Sequence, residues 1–213
     1  MRIKRMKKLA FCMAALLICS FAHAQRKFEY GFRIGGGVST QSTTSPSLLS
    51  TQVIRTFNAS LVGEYALPRN YSLQASVGVN NKGVTNFEDA LTTTNHITYL
   101  ELTADLLHKF KIPSLGKFLV GAGGYTAVAR SGRFDYETPN STNSDSMAFG
   151  NDNDFRKNDA GFNILTGLEL NNHLTFNIGY DFGLTNIASQ PLKDSGVKSV
   201  YNRSVMVGLG LMF

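Results

Sequence analysis

Eight stretches, roughly residues 28–39, 53–66, 71–82, 96–110, 117–130, 159–170, 173–187 and 200–213, alternate apolar side chains with polar or very small ones. In the third, Tyr71, Leu73, Ala75, Val77 and Val79 alternate with Ser72, Gln74, Ser76, Gly78 and Asn80. In the fourth, Leu100, Leu102, Ala104 and Leu106 alternate with Glu101, Thr103 and Asp105. A period of two sends successive side chains to opposite faces of a strand, so these stretches read as strands with two unlike faces. Their length is the constraint. Strands of ordinary sheets run about 5–6 residues, whereas these run 12 to 15. At about 3.3 Å per residue and a tilt of about 40°, such strands cross a hydrocarbon layer of about 30 Å.

The connections agree. Pro68-Arg69-Asn70, Pro113–Gly116 and Asn171-Asn172 are tight turns, and the polar stretches 40–52, 83–95, 131–158 and 188–199 are long loops. Short and long connections alternate, which gathers the turns at one end and the loops at the other. All five prolines lie in connections, where no ladder hydrogen bond is lost. A soluble lipocalin-like barrel has the same up-and-down order but needs a charged exterior. Here the second faces carry Gly, Ser, Asn and Thr with isolated charges, which suits a packed lumen. Phe28, Tyr65, Tyr71, Phe110, Phe118 and Phe213 fall at strand ends on the turn side, where an interfacial girdle belongs. The expected fold is all-β: an eight-stranded antiparallel up-and-down transmembrane β-barrel.

Residues 1–24 read as a cleaved signal peptide, leaving 25–213 as the outer-membrane barrel domain. A basic start (Arg2, Lys4, Arg5, Lys7, Lys8) precedes an apolar run too short to span, and Ala22-His23-Ala24 offers small residues for cleavage. The chain's formal charge of +6 rests on this segment. Without its five basic residues, 16 cationic side chains face 15 acidic ones, so there is no electrostatic case for nucleic acid. Cys12 and Cys19 leave with it, which excludes disulfide and thiol chemistry from the barrel.

"GFRIGGGVST", "ITYLELTADLLHKFKI" and "GKFLVGAGGYTAVA", followed by "NDAGFNILTGLEL", "LTFNIGYDFGLTNI" and "VYNRSVMVGLGLMF", resemble in order the blocks of the Bacteroidota outer-membrane β-barrel family. This is the PorT-like group of small OmpX-like barrels within the broader porin family. Thr103-Ala104 departs from the Pro that this group commonly carries after its Tyr-Leu-Glu run. The resemblance implies an outer-membrane location with termini and turns in the periplasm and long loops outside. It implies either a small barrel of unassigned role or an accessory of type IX secretion. It also implies that the terminal Phe213 is presented as a signal to the barrel-assembly machinery.

An eight-stranded barrel is just wide enough for side chains to fill. Arg33, Glu64, Glu101, Asp105, Glu169 and Asp181 have inward parity, and such charges need partners or water. They read as a structural plug; the sharper reading is a proton or ion path. No catalytic set, cofactor or metal ligand set is expected. His96, His108 and His173 have no nucleophile at a telling spacing, and Asp152, Asp154 and Asp159 lack a calcium-loop signature. Residues 131–158, rich in Asn, Asp and Ser, read as a hydrated, mobile loop. The expected function is an interaction barrel or secretion accessory, whose partners are outer-membrane lipid, the assembly machinery and proteins met through the loops. The alternative is a narrow porin-like channel for small solutes.

Overall fold

The computed structural model describes residues 27–44, 50–88 and 91–213. The expected signal peptide, residues 1–24, lies outside the described residues. Ten strands are present among those described: β1 (Phe28–Thr43), β2 (Ser50–Gln52), β3 (Ile54–Ala66), β4 (Tyr71–Glu88), β5 (Leu91–Ile112), β6 (Gly116–Thr138), β7 (Ser141–Ser146), β8 (Asn158–Leu170), β9 (Leu174–Gly183) and β10 (Val200–Met212). Eight form a closed antiparallel wall in the order β1-β3-β4-β5-β6-β8-β9-β10, and β10 pairs back onto β1 from Gly31↔Met212 to Thr43↔Val200. Closure leaves the eight-stranded wall without an edge strand; β2 and β7 pair on one side only, with β4 and β6. Each of the eight expected segments corresponds to one wall strand.

The outward face is apolar and exposed, with Ile34, Leu61, Leu73, Val77, Leu102, Ile164, Ile178 and Val207 among its members. At the turn end it carries a ring of aromatics: Phe28 opposite Tyr65, Phe110 opposite Phe118, and His108 against both Tyr71 and Phe110 at 4.5 Å. The three tight turns are where the sequence places them. Arg69, Asn70, Ser114 and His173 adopt positive φ there, which reverses the chain within two or three residues.

The long connections are less loop-like than their composition suggests. Residues 83–88 and 91–95, within the stretch 83–95 expected as a loop, continue β4 and β5 as a two-stranded ribbon. Its threonines are β-branched and suit a strand, and the Thr85 and Thr94 hydroxyls meet at 2.9 Å. Residues 131–146, part of the expected mobile loop, extend β6 and return as β7. A bulge marks the start of that extension: Tyr99 faces Ala129, but Thr98 faces Ser131, so Arg130 is an extra residue. Below it the odd-numbered side chains Tyr125, Ala127 and Ala129 are buried inside; beyond it the even-numbered Phe134 packs inward. β9 ends at Gly183 rather than at the expected residue 187, because Ile187 and Ala188 turn in and are fully buried.

Candidate functional site

The site is the lumen, and the inward face of each strand builds it. From the turn end upward, Lys117 donates to Glu169 at 2.6 Å and Lys109 donates to the other Glu169 oxygen at 2.6 Å while also pairing with Glu64. Gln74 then links Glu64 (3.1 Å) to Arg33 (2.9 Å). Gly208 makes room for this arginine, since a Cβ there would lie 3.2 Å from its Cγ and Cδ. Asp105 accepts from Asn163 at 2.7 Å and from the Thr103 hydroxyl at 3.4 Å. Higher, Lys82 is fully buried, 2.7 Å from Glu101 and 3.3 Å from Asp181, with its ammonium 3.9 Å from the centre of the Tyr125 ring. Asn202 and Tyr125 both donate to Asp159, at 2.9 and 3.2 Å. Gln41 donates to Asn202 and Asn95 to Gln41, each at 3.0 Å.

Above this ladder the mouth is covered. Residues 147–156 and 186–197 cross it and are tied together by Arg156 N–H to the Ile187 carbonyl (2.9 Å), Gln190 N–H to Asn151 (2.7 Å) and the Ser189 hydroxyl to Asp154 (2.9 Å). A short helix, α1 (Gln190–Asp194), begins on Ser189. Met147, Phe155, Ile187 and Ala188 drop onto Ile97, Tyr99, Tyr125, Ala127 and Val200 as one buried apolar cluster, with Phe134, Phe149, Leu192 and Val197 packed around it. A lid of this kind reverses the expectation that 131–158 is a hydrated, mobile loop. The Asn, Asp and Ser residues lie outside the core, while two of the apolar residues, Met147 and Phe155, are 7% and 5% exposed.

Between ladder and wall remains a polar cavity of about 70 Å³, lined by Arg33, Asn80, Glu101, Asp105, Asn163 and Asp181 among others. Of the six expected lumen residues, Glu64, Glu101, Asp105, Glu169 and Asp181 are buried, and Arg33 is partly buried at the cavity wall. Lys82 and Lys109, the cations that organise both ion clusters, were not among the expected residues. Their parity with Asn80 and Asp105 is the signal that identifies them. Phe213 sits at the turn end, where its backbone pairs with Tyr30 (N–H to carbonyl 2.7 Å, carbonyl from N–H 3.0 Å) and its exposed ring lies 6.1 Å from Tyr30 and 6.3 Å from His173. His96 stands in the loop-end ribbon, 3.5 Å from Asp135. Asp154 accepts from the Ala148 N–H within the lid, away from Asp159 in the lumen network. Among the described residues, Glu29, Glu64 and Glu169 form the group of three carboxylates whose oxygens lie within 4.8 Å of one another. Lys109 and Lys117 already occupy that group.

The sequence model described as "Outer membrane protein beta-barrel domain" matches residues 21–189. The chain belongs to this outer-membrane β-barrel family. No curated protein matches it. Among solved structures, this family member is similar to Ail, the attachment invasion locus protein of Yersinia pestis, at 16% identity over 88% of this chain and 99% of Ail, with a TM-score of 0.43. OprG from Pseudomonas aeruginosa is 13% identical over 88% and 96% of the two chains, with a TM-score of 0.46. Neisserial surface protein A is 12% identical over 87% and 97%, at 0.43. Membership places the barrel in the outer membrane, with its apolar outward face toward lipid.

Proposed function

We propose that this barrel does not pass solutes and works as a rigid scaffold whose loop end is the working surface. In this reading it is an interaction barrel or a secretion accessory of the PorT-like, type IX kind. Its termini and turns face the periplasm, and Phe213 serves the assembly machinery. The observation that carries the reading is double closure: ion pairs cross the lumen at the turn end, and an apolar lid seals the other mouth. A conducting pore needs a continuous file of water. Buried ion pairs with matched hydrogen bonds cost several kcal/mol to break (of order 3–5), so thermal motion seldom opens them.

The test is conductance of the purified barrel in planar bilayers. Traces at the bare-membrane baseline are expected. Discrete steps would restore the narrow porin-like channel and remove the scaffold reading. Profiling secreted proteins in a deletion strain then separates the accessory role, in which specific proteins fail to appear, from surface interaction, in which the profile is unchanged.

A further inference from the structure

The outward face changes chemistry at one level. Arg55 on β3 stands ten residues from Tyr65, and Arg203 on β10 stands ten residues from Phe213, both exposed aromatics at the turn end. Ten residues at about 3.3 Å each, tilted by about 40°, rise about 25 Å, the height of the apolar band of an outer-membrane barrel. Both arginines share outward parity with exposed apolar side chains, Phe57 and Leu61 for Arg55, Val205 and Val207 for Arg203. Between them and the turn-end aromatics, β1, β3 and β10 present no charged side chain outward. Neither arginine forms an ion pair among the described residues. A cation at the edge of the hydrocarbon layer attracts an anion from the headgroup region.

Arg203 is held in place. Its guanidinium lies 3.6 Å from the centre of the Phe182 ring, and Nη1 donates to the carbonyls of Gly183 (2.7 Å) and Asn202 (2.8 Å). Nε and Nη2 have no acceptor among the described residues, which leaves one edge of the fork open to an anionic oxygen pair. Arg55 pairs in register with Val38, and Arg203 with Thr40. The two arginines therefore flank one stretch of β1, with Cα atoms about 12 Å apart.

Below Arg55 the lipid-facing wall is furrowed. The outward side chains of β3 alternate large and small as Phe57, Ala59, Leu61 and Gly63. A hollow of about 360 Å³ lies over Ala59 between Ile34 and Val79. A second, of about 470 Å³, lies over Gly63 and Ala75. Leu61 and Val77 line both, so the hollows form one apolar groove running from below Arg55 toward the turn end. It opens on the face that meets lipid, and its shape suits an acyl chain.

We propose that this face binds one phosphomonoester lipid. Its phosphate sits on the open edge of Arg203 and faces Arg55 across β1, and an acyl chain lies in the groove over Ala59 and Gly63. A phosphomonoester carries about −1.5 to −2 charges at pH 7 and so matches two arginines better than a phosphodiester does. The leaflet is the one at the loop end, which the proposed orientation makes the outer leaflet. Binding is read in micelles without reference to orientation, so failure of one claim does not imitate failure of the other.

The protein is extracted from outer membranes, unfolded in urea and refolded in maltoside micelles. These hold phosphatidic acid, phosphatidylglycerol and phosphatidylcholine in equal amounts with identical chains, and native mass spectrometry counts the lipids retained. One phosphatidic acid per barrel is expected, favoured about tenfold over phosphatidylglycerol. Arg203→Gln combined with Arg55→Gln should remove the preference, and Ala59→Leu, which fills the groove, should lower retention. Arg130→Gln should leave both unchanged, because exposed Arg130 lies on β6, four strands from β1 by either way round the wall. Equal retention of the two anionic lipids by the unaltered barrel would overturn the site. A loss with Arg130→Gln as large as with Arg203→Gln would overturn it too, as the mark of a general basic belt. Displacement of the lipid by excess inorganic phosphate, or full retention in Ala59→Leu, would remove the acyl chain from the proposal and overturn it as a lipid site. Variants are first checked for barrel closure by heat-dependent gel mobility. Should Arg203→Gln fail to close, Arg55→Gln alone and the lipid comparison on the unaltered barrel decide.

Discussion

The two ends of the lumen are closed by opposite chemistries. At the turn end, Lys109, Lys117, Glu64 and Glu169 are wall residues, and their ion pairs join β3, β5, β6 and β8 directly. At the loop end, the closing groups are Met147, Phe155, Ile187 and Ala188, carried by connecting segments that lie over the mouth. The difference is one of cooperativity. An ion pair between wall strands is lost only when the wall opens, whereas a lid can lift while the wall stays closed.

The largest effect is expected from Lys109→Met. It leaves Glu64 and Glu169 facing each other without the ammonium, and removing one partner of a buried pair costs about 3–5 kcal/mol. Urea titration of the refolded barrel should show this loss in the single global transition. Phe155→Ala removes a comparable amount of packing, since such core truncations cost about 3–5 kcal/mol, yet the global midpoint should move by less than about 1 kcal/mol because only the lid opens. Proteolysis within 147–156 should accelerate while the wall stays intact. If Phe155→Ala lowers the global midpoint as far as Lys109→Met, lid and wall are one cooperative unit and the contrast fails. The smallest change in stability is expected from Phe213→Ala, within about 0.5 kcal/mol for an exposed position. Its assembled yield in cells should fall further than its stability in detergent. Equal losses in both would make Phe213 an ordinary girdle residue.

The same contrast explains what the sequence discloses. Wall strands follow a period of two, so the inward parity of Glu101, Asp105, Glu169 and Asp181 was open to reading, and the same parity covers Lys82 and Lys109. The lid has no period. Met147 and Phe155 sit in a segment whose composition describes its solvent face, and only tertiary packing decides that two apolar residues turn inward. Ile187 and Ala188 continue an apparent strand in sequence but leave the sheet once Asn186 accepts from the N–H groups of Ala188 (3.0 Å) and Val200 (3.1 Å). The ribbon formed by residues 83–88 and 91–95 is obscured for a different reason. Its threonines are polar enough to suggest a loop and branched enough to form strands.

The extra residue at Arg130 makes β6 behave like a reading frame. One inserted position reverses which side chains count as interior, so Tyr125 and Phe134 both point inward although they are an odd number of residues apart. Length here matters more than composition. Loss of Arg130 alone would remove the bulge and leave Ser131 opposite Thr98 and Phe134 facing inward, whereas loss of one residue from Ser131–Arg133 would put the rest of the strand one step out of phase and turn Phe134 toward solvent. Loss of two residues from the paired stretch beyond the bulge, Ser131–Thr138, would keep the phase and merely shorten the ribbon. Sequences descended from this barrel can therefore vary the ribbon's length by pairs of residues more readily than by single ones.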